Sequence, residues 1–381
     1  MKMMNGMQIY NICKNCVVSK LKWRHWLLLF LLATVVVFKT VPGLGGVYTA
    51  VVYPKIGYVL SSFSGKFCFA VGDVFIALSM AWVVVYPLCN LWRKRRSWKQ
   101  VFGRVAEYLL WVYVWFYAAW GLNYSQPNIY RRMAMKPVEV SEKEFRTFAF
   151  RYVDSLNVAW QGVAPDNKVR VESSVNESYR KIWGMTGRGV YGRHDMGINA
   201  SFASFPPVKT MVFSRLCSMA GVTGSMAPFF CEFTLNADLR MHEYPATYAH
   251  ELAHFLGVAN EGEANFYSYV VCTSSNDRFV RFSGYYHILP HMAANVREVL
   301  GDKDYELFVK RVRPEVLALA RSDRDYWVSR RCTAVDRVQG FFYDLYLRGN
   351  NVEGGVKSYS SVIAIIMAWE ELTSTDSIPV L

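Results

Sequence analysis

Two histidines four residues apart, with a glutamate directly after the first, stand in residues 244–269, YPATYAHELAHFLGVANEGEANFYSY. On a helix that spacing puts His250 and His254 on one face, one turn apart, where both imidazoles can hold one metal ion. Glu251 is offset by about 100°. It is the candidate general base toward a water on that ion, whose pKa the metal lowers while it polarises a carbonyl. Zinc in hydrolases commonly takes three protein ligands and leaves a position open, so a third ligand is sought nearby. Beyond Gly257 a second helix opens with carboxylates. Glu261 fits an ExxAN pattern in which Asn265, one turn on, orients a ligand histidine. Glu263 is the alternative ligand, and whichever acid is not used favours the helix N-terminus. Asn260 reads as the cap of that helix.

The remaining candidates are weaker. His287 and His291 repeat the spacing of four but bracket Leu289 and Pro290, which argues against helix geometry and for surface or core roles. His194 and His242 lack a partner acid in the same arrangement, and His242-Glu243 is a candidate only for supporting a ligand. Residues 227–235, APFFCEFTL, suit either an edge strand that pairs with an extended peptide or an ordinary strand of a sheet. Tyr285, Tyr286 and Arg281 are candidate transition-state donors by residue type alone. Cys13 and Cys16 form a lone CxxC without a second ligand pair. Cys217, Cys231, Cys272 and Cys332 can pair, but spacing does not assign bridges.

The zinc-site helix is expected over residues 244–256, with Pro245 and Thr247 in its first turn and Gly257 as its stop. Further helices are expected over 138–156 with Ser141 as cap, and over 261–272, 285–300, 304–320, 334–347 and 359–372. Short strands are expected at 208–213 and 227–235, and turns at 163–166, 184–201 and 354–359. The expected fold is therefore mainly α with a small β-sheet.

The chain of 381 residues has 52% hydrophobic and 19% charged residues, which excludes a disordered protein. Its net charge of +13 is uneven: residues 1–122 hold 14 Lys and Arg against two acids, leaving 29 against 28 for the rest. The excess borders three apolar runs, 26–38, 67–92 and 105–122. That pattern is a membrane-topology signal and removes the main support for nucleic acid as partner. Basic residues precede the first run and fill the loop between the second and third, so both are expected in the cytoplasm. Three crossings would carry the rest outside. The expected organisation is a basic tail (1–24), three transmembrane helices (25–122) and an extracytoplasmic domain (123–381) in a bacterial inner membrane.

At HELAHFLGVANEGEANF the chain resembles an uncharacterised family of Bacteroidota membrane proteins, a domain of unknown function that itself resembles gluzincin-type zinc metallopeptidases. AVGDV (70–74), WGLNY (120–124), RFSGY (281–285) and GGVKSY (354–359) extend the resemblance over most of the chain. It implies a helical zinc site flanked by a small sheet, with His250, His254 and a glutamate of EGEANF as ligands and Glu251 as base. Phe255-Leu256 stands where polar or basic residues are common in that family. The expectation is a membrane-anchored zinc metallohydrolase, a peptidase acting on envelope or membrane-proximal proteins. The alternatives are a zinc-binding pseudoenzyme that serves as an envelope scaffold or sensor, and a purely structural membrane protein.

Overall fold

The computed structural model describes residues 22–93, 95–162, 167–186, 205–349 and 362–375. Cys13, Cys16, His194, the 163–166 and 354–359 turns and most of 184–201 lie outside the described residues.

The chain begins with α1 (Trp23–Thr40), a short helical turn and a π-turn (Tyr48–Val52), then α2 (Tyr53–Ser64), α3 (Val71–Trp92) and α4 (Trp98–Ala119). The expectation of three apolar spans is corrected here to two. Among the described helices α1 and α3 are long and apolar enough to cross a membrane, and α4 is not. It carries Arg104 and Glu107, and its Trp and Tyr residues suit an interface better than a hydrocarbon centre. It still packs on both apolar helices. Arg24 of α1 pairs with Glu107 at 2.9 Å, and Lys39 Nζ donates to Tyr117 Oη at 3.0 Å, so α1 and α4 run in the same direction. Tyr108 Oη donates to Ser79 Oγ of α3 at 2.7 Å, and α3 runs back against them. The outer faces are bare and apolar: Trp92 is 83% exposed and Trp23 77%.

Next come α5 (Glu142–Ala159) and α6 (Lys168–Thr186). Ser141 caps α5 as expected, its Oγ accepting from Glu144 N at 3.3 Å while the Glu144 carboxylate accepts from Ser141 N at 2.9 Å. α6 was not expected. It buries Val171, Val175, Tyr179 and Ile182, an apolar stripe at helical spacing.

A three-stranded sheet follows, made of β1 (Lys209–Thr210), β2 (Gly224–Ala227) and β3 (Glu232–Leu235), with α7 (Ser214–Met219) between β1 and β2. The order is β1-β3-β2, with β1 parallel and β2 antiparallel to β3. Both strand expectations therefore shorten, and the edge role passes from APFFCEFTL to β2, because β3 is the central strand. β2 reads GSMA, which lacks the β-formers that mark a strand in sequence.

Glu232 of β3 ties the sheet to α2 and α3. Its Oε1 accepts from Gly72 N at 2.5 Å at the start of α3, and its Oε2 accepts from Lys209 Nζ at 2.6 Å. Lys209 Nζ also donates to Ser64 O at the end of α2 (2.7 Å) and to Phe69 O (3.0 Å). Helix ends leave unpaired N–H and C=O groups, and this buried ion pair satisfies one of each kind. Gly72 is needed there, since a Cβ would lie 2.6 Å from Ala227 Cβ.

The body of the domain is α8 (Tyr244–Phe255), α9 (Glu261–Thr273), α10 (Arg278–Arg311), α11 (Pro314–Arg330), α12 (Thr333–Gly349) and α13 (Val362–Thr375). α10 breaks at Gly301, where φ is +81°. It begins before the expected helix because Asp277 caps it, accepting from Phe279 N at 2.9 Å. Tyr48, Tyr53 and Trp120 from the membrane-proximal chain share one buried cluster with Phe233, Phe255 and Phe266 of the domain. Cys217, Cys231, Cys272 and Cys332 are free thiols.

Candidate metal centre

α8 and α9 pack against each other, and each offers polar residues one turn apart to the other: His250 and His254 from the first, Glu261 and Asn265 from the second. His250 Nε2 lies 3.1 Å from Glu261 Oε2 and 3.0 Å from His254 Nε2, and His254 Nε2 lies 3.4 Å from the same carboxylate oxygen. The three residues form a group whose donor atoms all lie within 4.8 Å of one another.

The outer ring nitrogens determine what those donors are. His254 Nδ1 is 2.6 Å from Val258 O, and a carbonyl can only accept, so Nδ1 carries the proton. His250 Nδ1 donates to Asn265 Oδ1 at 2.8 Å. When the rings are neutral, each turns a lone pair inward, toward a carboxylate, and a proton on His254 Nε2 or a metal ion can fill the space between them. Three acceptors converging with no hydrogen between them repel one another, and a cation removes that repulsion. A tetrahedral ion with bonds of about 2.0–2.1 Å spaces its ligand atoms about 3.3 Å apart, close to the separations here. The residues present therefore fit a small divalent ion.

Electrostatics agree. Burial works against the His254 imidazolium, but the Glu261 carboxylate outweighs it and raises the pKa to about 9. Burial also works against ionised Glu261, yet the two imidazoles hold its carboxyl well below the usual range. Positive charge is thus favoured at the point where the three side chains meet.

Glu251 is 5% exposed, and its Oε2 is buried with no hydrogen-bond partner among the described residues. Burial is the first cause that raises its pKa, followed in effect by the two histidines, which lower it, and Glu261, which raises it; the backbone N–H of Met226 donates to the carboxylate. Gly224 makes room for it, since a Cβ there would stand 2.4 Å from Glu251 Oε1. Nothing in the local sequence singles out Gly224, because its role depends on β2 lying beside α8.

The structure separates the two candidate third ligands. Glu263 Oε2 accepts from Arg132 at 2.6 Å and its Oε1 from Ile129 N at 2.9 Å, so it faces away from the histidines. Asn260 caps α9, its Oδ1 accepting from Glu263 N at 3.1 Å. His287, expected in a surface or core role, is helical despite Pro290 and donates from Nε2 to Asn265 Oδ1 at 2.9 Å. Burial, then the neighbouring His250 and His291, lower its pKa to about 3, so it is neutral. His291 lies one turn further along the same cleft.

Other candidates are engaged elsewhere. His242 Nε2 lies 2.7 Å from Asp323 Oδ2, and Tyr286 and Arg240 donate to the same carboxylate, in a cluster apart from the ligands. The Tyr285 carbonyl accepts from Tyr152, and Arg281 donates to Ser275 O at 2.6 Å.

Several elements hold α8 in place. Tyr179 and Asn176 of α6 bond to Ala249 O (2.5 Å) and Tyr248 Oη (3.0 Å). At its C-terminal end Trp120 Nε1 donates to His254 O (2.9 Å), Tyr53 Oη to Phe255 O, and Gln126 Nε2 to Gly257 O (2.6 Å). Carbonyls that a helix end leaves unpaired are thus satisfied by the membrane-proximal chain. Gly257 turns the chain at φ +94°. The group opens on a cleft of about 850 Å³ bounded by β2, α8, the ends of α3 and α4, and the start of α12.

No curated protein and no solved structure matches the chain. One family model does, over residues 48–367, a range that takes in the sheet, α8, α9 and the apolar helix α3, and the chain therefore belongs to the family described as protein of unknown function DUF3810.

Proposed function

We propose that this protein is a membrane-anchored zinc-dependent hydrolase, acting on peptide bonds of envelope or membrane-proximal proteins. The observation that carries the reading is the unpartnered, buried Oε2 of Glu251 beside three converging ligand atoms. A divalent ion held by His250, His254 and Glu261 would lower the pKa of a water and polarise a carbonyl. Asn265 fixes His250 so that Nε2 points inward, and Val258 O does the same for His254. Glu251, kept from solvent and raised in basicity, takes the proton from the attacking water and passes it to the leaving amine. β2 lines the cleft and is an edge strand, so its open side suits an extended peptide. The resemblance to gluzincins agrees with this division of roles.

The orientation proposed is cytoplasmic for the basic end of the helix bundle and periplasmic for the metal centre. α1 and α3 supply the apolar anchor, and α4 returns alongside them to the domain. Arg93, Arg95, Arg96 and Lys99 cluster between α3 and α4, at the end of the bundle away from the cleft.

Glu251→Gln tests the chemistry. The variant should keep one zinc per chain and lose about a hundredfold to ten-thousandfold in turnover on a peptide substrate that the wild type cuts. Full turnover by the Gln variant would refute the mechanism. Loss of zinc would give Glu251 a ligand role instead.

A further inference from the structure

We propose that the cleft takes a membrane-anchored peptide whose apolar flank lies against Ile76, Phe116 and Phe229, so that the bond cut is one just outside the bilayer. This rests on the hydrolase reading and adds a substrate class to it.

Part of the cleft wall belongs to the membrane helices. Ile76 of α3, Phe116 of α4 and Phe229 of the β2–β3 turn line the same cleft as Glu251 and the three ligands. α3 has 22 residues, about 33 Å at the helical rise, close to the thickness of a hydrocarbon core. Ile76 is one and a half turns below its N-terminal end, about 8 Å, and Phe116 is about one turn below the end of α4. The cleft therefore descends past the ends of these helices. Asp73 marks the level above Ile76, its Oδ2 accepting from Val212 N at 2.8 Å.

Ile76 is also 39% exposed, and Met80, one turn below it on the same face of α3, is largely bare. The apolar cleft wall is thus continuous with the surface that meets lipid. A soluble polar peptide would gain little from such a wall. A peptide that leaves the bilayer next to α3 passes from lipid to this wall without exposing its apolar side chains to water. Another part of the lining is polar, with Arg331, Asp336 and Gln339, and suits the part of the chain already in water.

The test uses the full-length, zinc-loaded Glu251→Gln protein in vesicles of phosphatidylethanolamine and phosphatidylglycerol. A photoreactive benzoylphenylalanine replaces Ile76 in one preparation and Leu88, away from the cleft on the same helix, in another. Both must bind one zinc per chain before use. The probe is a library of single-span peptides with randomised twelve-residue extramembrane tails, compared with the same tails lacking the span. Capture of anchored peptide at position 76 should exceed capture at 88, and capture of the free tails, by at least tenfold. Its adducts should map near the span boundary. Equal capture of free tails, capture of lipid alone, or no capture would overturn the proposal. Cleavage by the wild type is followed in parallel. Capture at position 76 without cleavage would keep the docking and remove the hydrolase reading, whereas equal cleavage of anchored and free tails would remove the docking and keep the hydrolase.

Discussion

Glu261 and Glu263 stand two positions apart in the first turn of α9, yet one faces two imidazoles and the other a buried guanidinium. Glu261→Ala should lose stoichiometric metal, measured by elemental analysis of purified protein. Glu263→Ala should retain metal and lose stability, because removing one partner of a buried ion pair costs about 3–5 kcal/mol; a lower melting temperature checks it. If the losses are exchanged, the ligand set is wrong. His287 holds the other side of Asn265 Oδ1, and a group that orients a ligand in this way typically contributes tenfold to a hundredfold in metal affinity. His287→Ala should weaken binding by about that factor in competition with a chelator, and an unchanged affinity would leave it a packing residue. The two histidines and Glu251 were legible because all three lie within one helical turn, where sequence spacing is also spatial spacing. His287 was not, because its contact with Asn265 requires α10 to cross α9, and no local spacing encodes that crossing.

At the scale of elements, Asp323 of α11 binds the chain that enters α8, through His242 and Arg240, and binds α10 through Tyr286. Burial raises the pKa of its carboxyl, but these donors outweigh it and hold the value below the usual range. A depressed carboxylate contributes stability above its unfolded pKa of about 3.9 and loses it as pH falls through the folded value. Asp323→Asn should therefore melt well below the wild type at pH 7, and the gap should narrow below about pH 4. A gap independent of pH would mean that packing, not charge, accounts for the loss. Helices capped by their own neighbours, such as α5 behind Ser141 and α8 before Gly257, were readable within a few residues. β2 was not, since Gly-Ser-Met-Ala forms a strand only because β3 offers a partner and Glu251 needs the missing Cβ of Gly224. The division of 278–330 into helices also shifted, because Gly301 interrupts a helix that Asp277 had already started.

For the whole molecule, the charge pattern and the helix directions bear on one question, the side of the proposed membrane anchor on which the His250, His254 and Glu261 group lies. A reporter active only outside the cytoplasm should work when fused after Leu381 and fail when fused at Ser97; the reverse pattern would put the cleft in the cytoplasm. The sequence revealed the uneven charge but overstated the apolarity of α4, whose Glu107 is offset by Arg24 across the bundle rather than absent from it. The bond from Glu232 to Gly72 and the pairing of Glu232 with Lys209 have a consequence of their own. They join the sheet beside Glu251 to the first turn of the apolar helix α3, so if α3 spans a membrane as proposed, the height of the cleft above the lipid is a fixed dimension of the protein. On the proposed hydrolase reading, such a protein would measure its substrate as a ruler does, and would select the bond to cut by its distance from the bilayer more than by the residues on either side.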